Sequence, residues 1–179
     1  MPRLLLVAGA AVILMAMTGC VDPAPPVTSS PTPSATPVFA SEEEALAAAE
    51  AAYREYLAVS DAITAVGGAD PDRLREFVTT DELTRAGERF AKLQASGKVT
   101  EGSTLFDSTS LQRYDDREVI VYLCLDVSGV RVFDTQGQDA TPPDRPNRLP
   151  LEVTFEVGHA SQLLLDSSNV WDGENICIL

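Results

Sequence analysis

The chain has 179 residues, with 27 Asp and Glu against 13 Lys and Arg, a formal net charge of −14, one histidine and three cysteines. This acidic balance repels nucleic acid and anionic lipid headgroups, which removes nucleic-acid binding and leaves solubility or a cationic partner as the use of the charge. One histidine and no cysteine cluster make a zinc centre an unsuitable reading, and no phosphate loop, HExxH or GxSxG pattern occurs, so no metal, cofactor or catalytic residue is assigned.

Arg3 and the amino terminus precede an apolar run from Leu4 to Ala16, and Met17-Thr18-Gly19-Cys20 follows. This arrangement resembles a bacterial lipoprotein signal, in which lipid is attached to the cysteine and the chain is cut in front of it. The resemblance implies a signal peptide over residues 1–19 and a lipidated Cys20. It also implies a lipid-anchored protein on the extracytoplasmic face of the cell membrane, with membrane lipid as its partner through the acylated Cys20. Met17 departs from the pattern, since leucine is commoner three residues before the cysteine. The alternative is an uncleaved membrane helix. Leu4 to Gly19 falls short of the roughly 20 residues that a span requires, and an anchor helix leaves Cys20 unexplained.

Residues 20–40 combine that cysteine with a Pro/Ser/Thr-rich stretch holding six prolines and no large aromatic side chain before Phe39. Such a composition buries too little surface to offset its ordering entropy. At about 3.1 Å per residue in polyproline conformation, it can hold a domain up to roughly 60 Å from the bilayer. The expected role is a spacer.

Residues 41–179 read as one domain. Ser41 and Glu44 form a capping-box pattern, and Leu46, Ala49, Tyr53, Tyr56, Ser60 and Ile63 recur on one helix face. Gly67-Gly68 ends that helix. Asp70-Pro71 resembles an N-cap and a first-turn proline, which predicts a short helix to about Phe77. Thr79 or Thr80 opens a third helix with Leu83, Ala86, Phe90 and Leu93 on one side, and Gly97 stops it.

The remainder predicts strands. Residues 104–113 alternate loosely. Residues 118–127, EVIVYLCLDV, are apolar on both faces, as a central strand is. Residues 129–134 form a short strand and 135–147 a proline-bearing loop. Over 148–157, Leu149, Leu151, Val153, Phe155 and Val157 face one way, and this face is expected toward the helices. A turn at Gly158-His159 leads to a last strand over 161–166. The order predicts an α+β domain, with N-terminal helices packed on one face of a single curved antiparallel sheet.

The sequences AEAAYREYL, VIVYLCLDVSGV and WDGENIC, in that order of helix, strand and chain end, resemble small actinobacterial lipoproteins carrying a nuclear-transport-factor-2-like, or cystatin-like cone, domain. The likeness covers residues 41–179. Enzymes of similar fold, such as polyketide cyclases and ketosteroid isomerases, use an Asp or His base inside the cone. His159, at a turn, lacks the shelter that a base requires. Asp126 lies on a mostly apolar strand, where burial would raise its pKa. Tyr53, Tyr56 and Asp126 are the candidate pocket-lining residues, with simple core packing as the other account of the tyrosines. Trp171 is expected at the edge of the core. Three functions follow: a non-enzymatic envelope interaction or accessory module with an envelope protein partner, a tethered binding protein for a small apolar ligand in the cone interior, and a cyclase- or isomerase-like enzyme.

With Cys20 consumed by lipid, Cys124 and Cys177 remain as an even pair outside the cytoplasm, where disulfides persist. A Cys124–Cys177 bond is expected to pin the C-terminal segment against the sheet. Two buried free thiols are the alternative.

Overall fold

A computed structural model describes residues 38–177 of the chain. The signal segment, Cys20 and most of the spacer lie outside the described residues.

The first helix, α1 (Glu42–Thr64), is capped as its sequence dictates: the Ser41 hydroxyl accepts the Glu44 N–H at 3.2 Å. The reciprocal bond reaches one residue further back than the capping box requires, from the Ala40 N–H to the Glu44 carboxylate at 2.7 Å. Ala45, Ala49, Tyr53, Tyr56, Leu57 and Ile63 form the buried stripe. The domain reaches upstream of the expected start at 41. Phe39, expected in the spacer, is buried and meets Tyr114 edge-on, with ring centroids 6.5 Å apart.

After α1 the chain reverses through Gly67 and Gly68. Gly68 has φ +85°, and a Cβ there would lie 2.5 Å from the Phe90 carbonyl oxygen, so both backbone freedom and close approach require glycine. The helix expected from Pro71 to Phe77 is only a 3₁₀ turn, Pro71–Leu74. Asp70 adopts the left-handed conformation with φ 57° and makes no capping bond, so nothing prepares a longer helix. The second helix, α2 (Thr80–Ser96), starts on Thr79, whose hydroxyl accepts the Glu82 N–H, and stops at Gly97 with φ 66°.

Six strands follow: β1 (Val99–Glu101), β2 (Leu105–Tyr114), β3 (Glu118–Asp126), β4 (Arg131–Phe133), β5 (Arg148–Val157) and β6 (Leu163–Val170). They form two antiparallel sheets where one was expected. Strands β2, β3, β5 and β6 lie side by side in that order, and β1 pairs with β4 in a small second sheet. The three-residue β1 was not anticipated, because a strand so short carries no alternation to read.

The larger sheet turns one face to the helices. Leu151, Val153 and Phe155 of β5 are buried there, flanked by the partly buried Leu149 and Val157, with Val119, Val121 and Leu123 beside them on β3. Tyr53 stands among them, edge-on to Phe106 at 5.2 Å and to Phe155 at 6.4 Å. Its hydroxyl is satisfied by Ser168 at 3.3 Å, and burial pushes its pKa upward.

The C-terminal segment packs on the opposite face. A disulfide joins Cys124 to Cys177, with Cα atoms 5.2 Å apart. The Trp171 ring stacks on Tyr122 at 4.4 Å, and the Trp171 backbone N–H donates to the Pro150 carbonyl at 2.8 Å. Tyr122 and Cys124 alternate with Val121 and Leu123, so Trp171 covers the outer face of the sheet rather than the edge of the core. Among the described residues, no helix is long and apolar enough to cross a membrane.

Candidate functional site

The space between α1 and the larger sheet is filled by side chains. Tyr53, Ile63, Leu74, Leu123, Phe155 and Leu165 all lie at or below 2% exposure. Tyr53 and Tyr56 stack with centroids 5.8 Å apart inside this core, and burial raises the pKa of both.

An open groove of about 320 Å³ lies instead at the molecular surface, between α1 and β2. Its helical wall is Glu50, Arg54, Leu57, Ala58 and Asp61. Leu57 belongs to the core stripe and reaches the groove from its rim, while Glu50, Arg54, Ala58 and Asp61 recur about one residue on from that stripe, a rotation of about 100° that brings them to the flank of the helix. The other wall runs from Ser103 to Thr109 and includes Leu105 and Phe106. Leu105 is 63% exposed, unusual for a leucine on a strand.

Hydrogen bonds fix the two walls to each other. The Asp61 carboxylate accepts the Thr104 N–H and the Thr104 hydroxyl, both at 2.7 Å. The Glu50 carboxylate accepts the Thr109 hydroxyl. Between these anchors the Arg54 guanidinium lies over the Phe106 ring, 5.7 Å from its centroid. Strand β2 is bulged between Asp107 and Ser110, with Ser108 at φ 54°, and the extra residue turns Thr109 toward the helix. No further strand pairs with β2 on this side among the described residues.

Asp126 lies beside the groove and outside its lining. Arg148 bridges Asp107 at 2.6 Å and Asp126 at 3.0 Å. The pKa of Asp126 moves opposite to expectation. Hydrogen bonds from Ser128, and then Arg148, lower it, because the residue caps the end of β3 in reach of donors instead of sitting in an apolar pocket. Asp107 is lowered too, first by its hydrogen bond from Arg148 and then by Ser108. The groove lining contains neither Tyr53 nor Tyr56. His159 lies exposed in the turn His159–Ser161.

A second charged cluster ties α2 to the sheet. Glu82 is 3% exposed and accepts from Arg85 at 2.9 Å and from Arg89. Arg85 also donates to the Asp166 carbonyl, and the Thr79 hydroxyl donates to the Asp166 carboxylate at 3.0 Å. Every carboxylate here is held by a donor, so the cluster is an internal clamp. Among the described residues no three His, Cys, Asp or Glu side chains gather as a metal site.

Sequence reasoning did not find the groove. Its signal was present, in Glu50, Arg54 and Asp61 beside the apolar stripe and in the hydroxyl-rich run through Ser103 and Thr109. What was missing was the knowledge that β2 runs along α1.

No family model matches the chain, and no curated protein matches it. Among solved structures, the crystal structure of the intermembrane space region of the chloroplast protein ARC6 is similar, with a TM-score of 0.52 at 14% identity. The match covers 70% of this chain and 95% of that one, and at this identity the likeness is one of fold alone.

Proposed function

We propose that the protein is a membrane-tethered extracytoplasmic lipoprotein. In this reading its domain works as a non-enzymatic interaction module, with the α1–β2 groove as its contact surface. The observation that carries the reading is the filled interior. Aromatic and aliphatic side chains occupy the space in which a cone-shaped carrier or isomerase would hold its ligand, while an open groove with an exposed leucine lies outside. Polar and apolar groups side by side suit a surface that is dry in contact and wet when free.

The tether is proposed from the run ending at Cys20 and the proline-rich stretch after it. The Cys124–Cys177 disulfide supports an oxidising surrounding. The likeness to a nuclear-transport-factor-2-like lipoprotein remains part of the proposal, supported by helices packed on one face of a curved sheet.

A photo-crosslinking side chain placed at Leu105 in living cells tests the contact surface, with the exposed His159 position as control. A discrete adduct from position 105 and none from 159 is expected. Equal labelling from both positions, or none from either, would remove the groove as a contact surface.

A further inference from the structure

Three carboxylates line the α1–β2 groove, Glu50, Asp61 and Asp107, against the single guanidinium of Arg54. Asp107 is offset by Arg148, which is itself shared with Asp126. The groove therefore carries a negative excess, within a chain whose own net charge is −14. Glu50 and Asp61 each spend lone pairs on threonine donors, but a carboxylate has about four acceptor positions, so both keep capacity for a cation. Between them Leu105 and Phe106 provide the apolar part of the lining.

The length of the groove selects the kind of occupant. Glu50 and Asp61 are eleven positions apart on α1, about 16 Å along the axis. That exceeds the reach of any one side chain and corresponds to about five residues of extended chain. Among the described residues strand β2 leaves its outer edge unpaired, and an extended chain can pair with such an edge.

We propose that this groove docks an extended, basic peptide segment of a partner protein. Lysine or arginine side chains four residues apart, and so on one face of the extended chain, meet Glu50 and Asp61, and an apolar side chain midway between them on that face rests on Leu105 and Phe106. The inference rests on the groove being the contact surface and adds the chemistry of what it contacts.

The test uses the full chain in detergent micelles and a fluorescent pentapeptide, Lys-Thr-Val-Thr-Lys, whose two lysines and central valine share one face when extended. A matched peptide carries glutamates in place of the lysines. The lysine peptide is expected to bind saturably, at least about tenfold more tightly than the glutamate peptide, and to weaken as salt screens the contact. Two variants read the site. Leu105→Ser changes an exposed side chain, and Glu50→Gln keeps an oxygen for Thr109 while removing the charge. Each should weaken binding several-fold at an unchanged melting temperature. Equal binding of the two peptides, no saturation up to about 1 mM, or parental affinity in both variants would overturn the proposal. So would cadaverine, a bare diamine, binding as tightly as the peptide. If the peptides fail while position 105 still crosslinks in cells, the basic-segment inference falls and the contact surface stands.

Discussion

Arg148 shows how one side chain organises its corner of the molecule. It is held between Asp107 and Asp126, and both carboxyls lie below their ordinary pKa. A carboxyl depressed in the folded state contributes stability that is complete above its unfolded value, about 3.9, and is lost as pH falls through the folded value. Arg148→Met should therefore melt below the parent at pH 6, and the gap should narrow below about pH 4. Melting curves from pH 6 to pH 2 check this, and a gap that stays constant to pH 2 would contradict it. Two glycines give an opposed pair. Gly68→Ala must accept φ +85° and a 2.5 Å approach to the Phe90 carbonyl, and should cost more than about 1 kcal/mol. Gly87, inside α2 with nothing within 4 Å of its would-be Cβ, should gain up to about 1 kcal/mol on the same change. Denaturant midpoints compare the two. Asp126 marks the limit of reading residues one at a time. Its apolar neighbours in sequence suggested burial, but its nearest charge, Arg148, is 22 positions away on the next strand.

The elements were legible where a local rule governs them. Ser41 and Thr79 cap their helices as their side chains require, Gly97 stops α2, and the alternation over 148–157 gives the face that β5 buries. Phe155→Ala should cost about 3–5 kcal/mol, while Glu156→Ala, on an exposed neighbour, should stay within about 0.5 kcal/mol. A loss of similar size at both positions would mean the register is wrong. What local rules do not contain was missed. The pairing of β1 with β4 joins segments about thirty residues apart, and only the register between Val99 and Phe133 reveals it. Glu82 was also invisible as a core residue, because a glutamate in the first turn of a helix ordinarily caps the dipole from the surface. Here Arg85 and Arg89 allow its burial. Glu82→Ala should cost about 1–2 kcal/mol, less than for a fully buried pair, because both arginines are about half-exposed.

For the molecule as a whole, the disulfide closes the chain on itself. Cys124 and Cys177 are 53 positions apart, and closing a loop of that length stabilises by about 4 kcal/mol in the chain-entropy account. Cys177→Ser should lower the denaturation midpoint accordingly. It should also loosen Trp171, the chain's one tryptophan, from Tyr122, which a red-shifted emission would report. Unchanged emission and midpoint would show that the bond holds nothing in place. The disulfide also fits the proposed tether, since an oxidised pair and a lipidated Cys20 would each need an exported chain, and in that proposal the interaction module acts where Cys20 holds it. Cells producing the parent chain or Cys20→Ala are therefore to be fractionated into membrane and soluble extracytoplasmic pools. The parent is expected in the membrane pool and Cys20→Ala in the soluble one. A Cys20→Ala chain that stays as firmly bound as the parent would contradict the lipoprotein tether and make residues 4–19 the anchor.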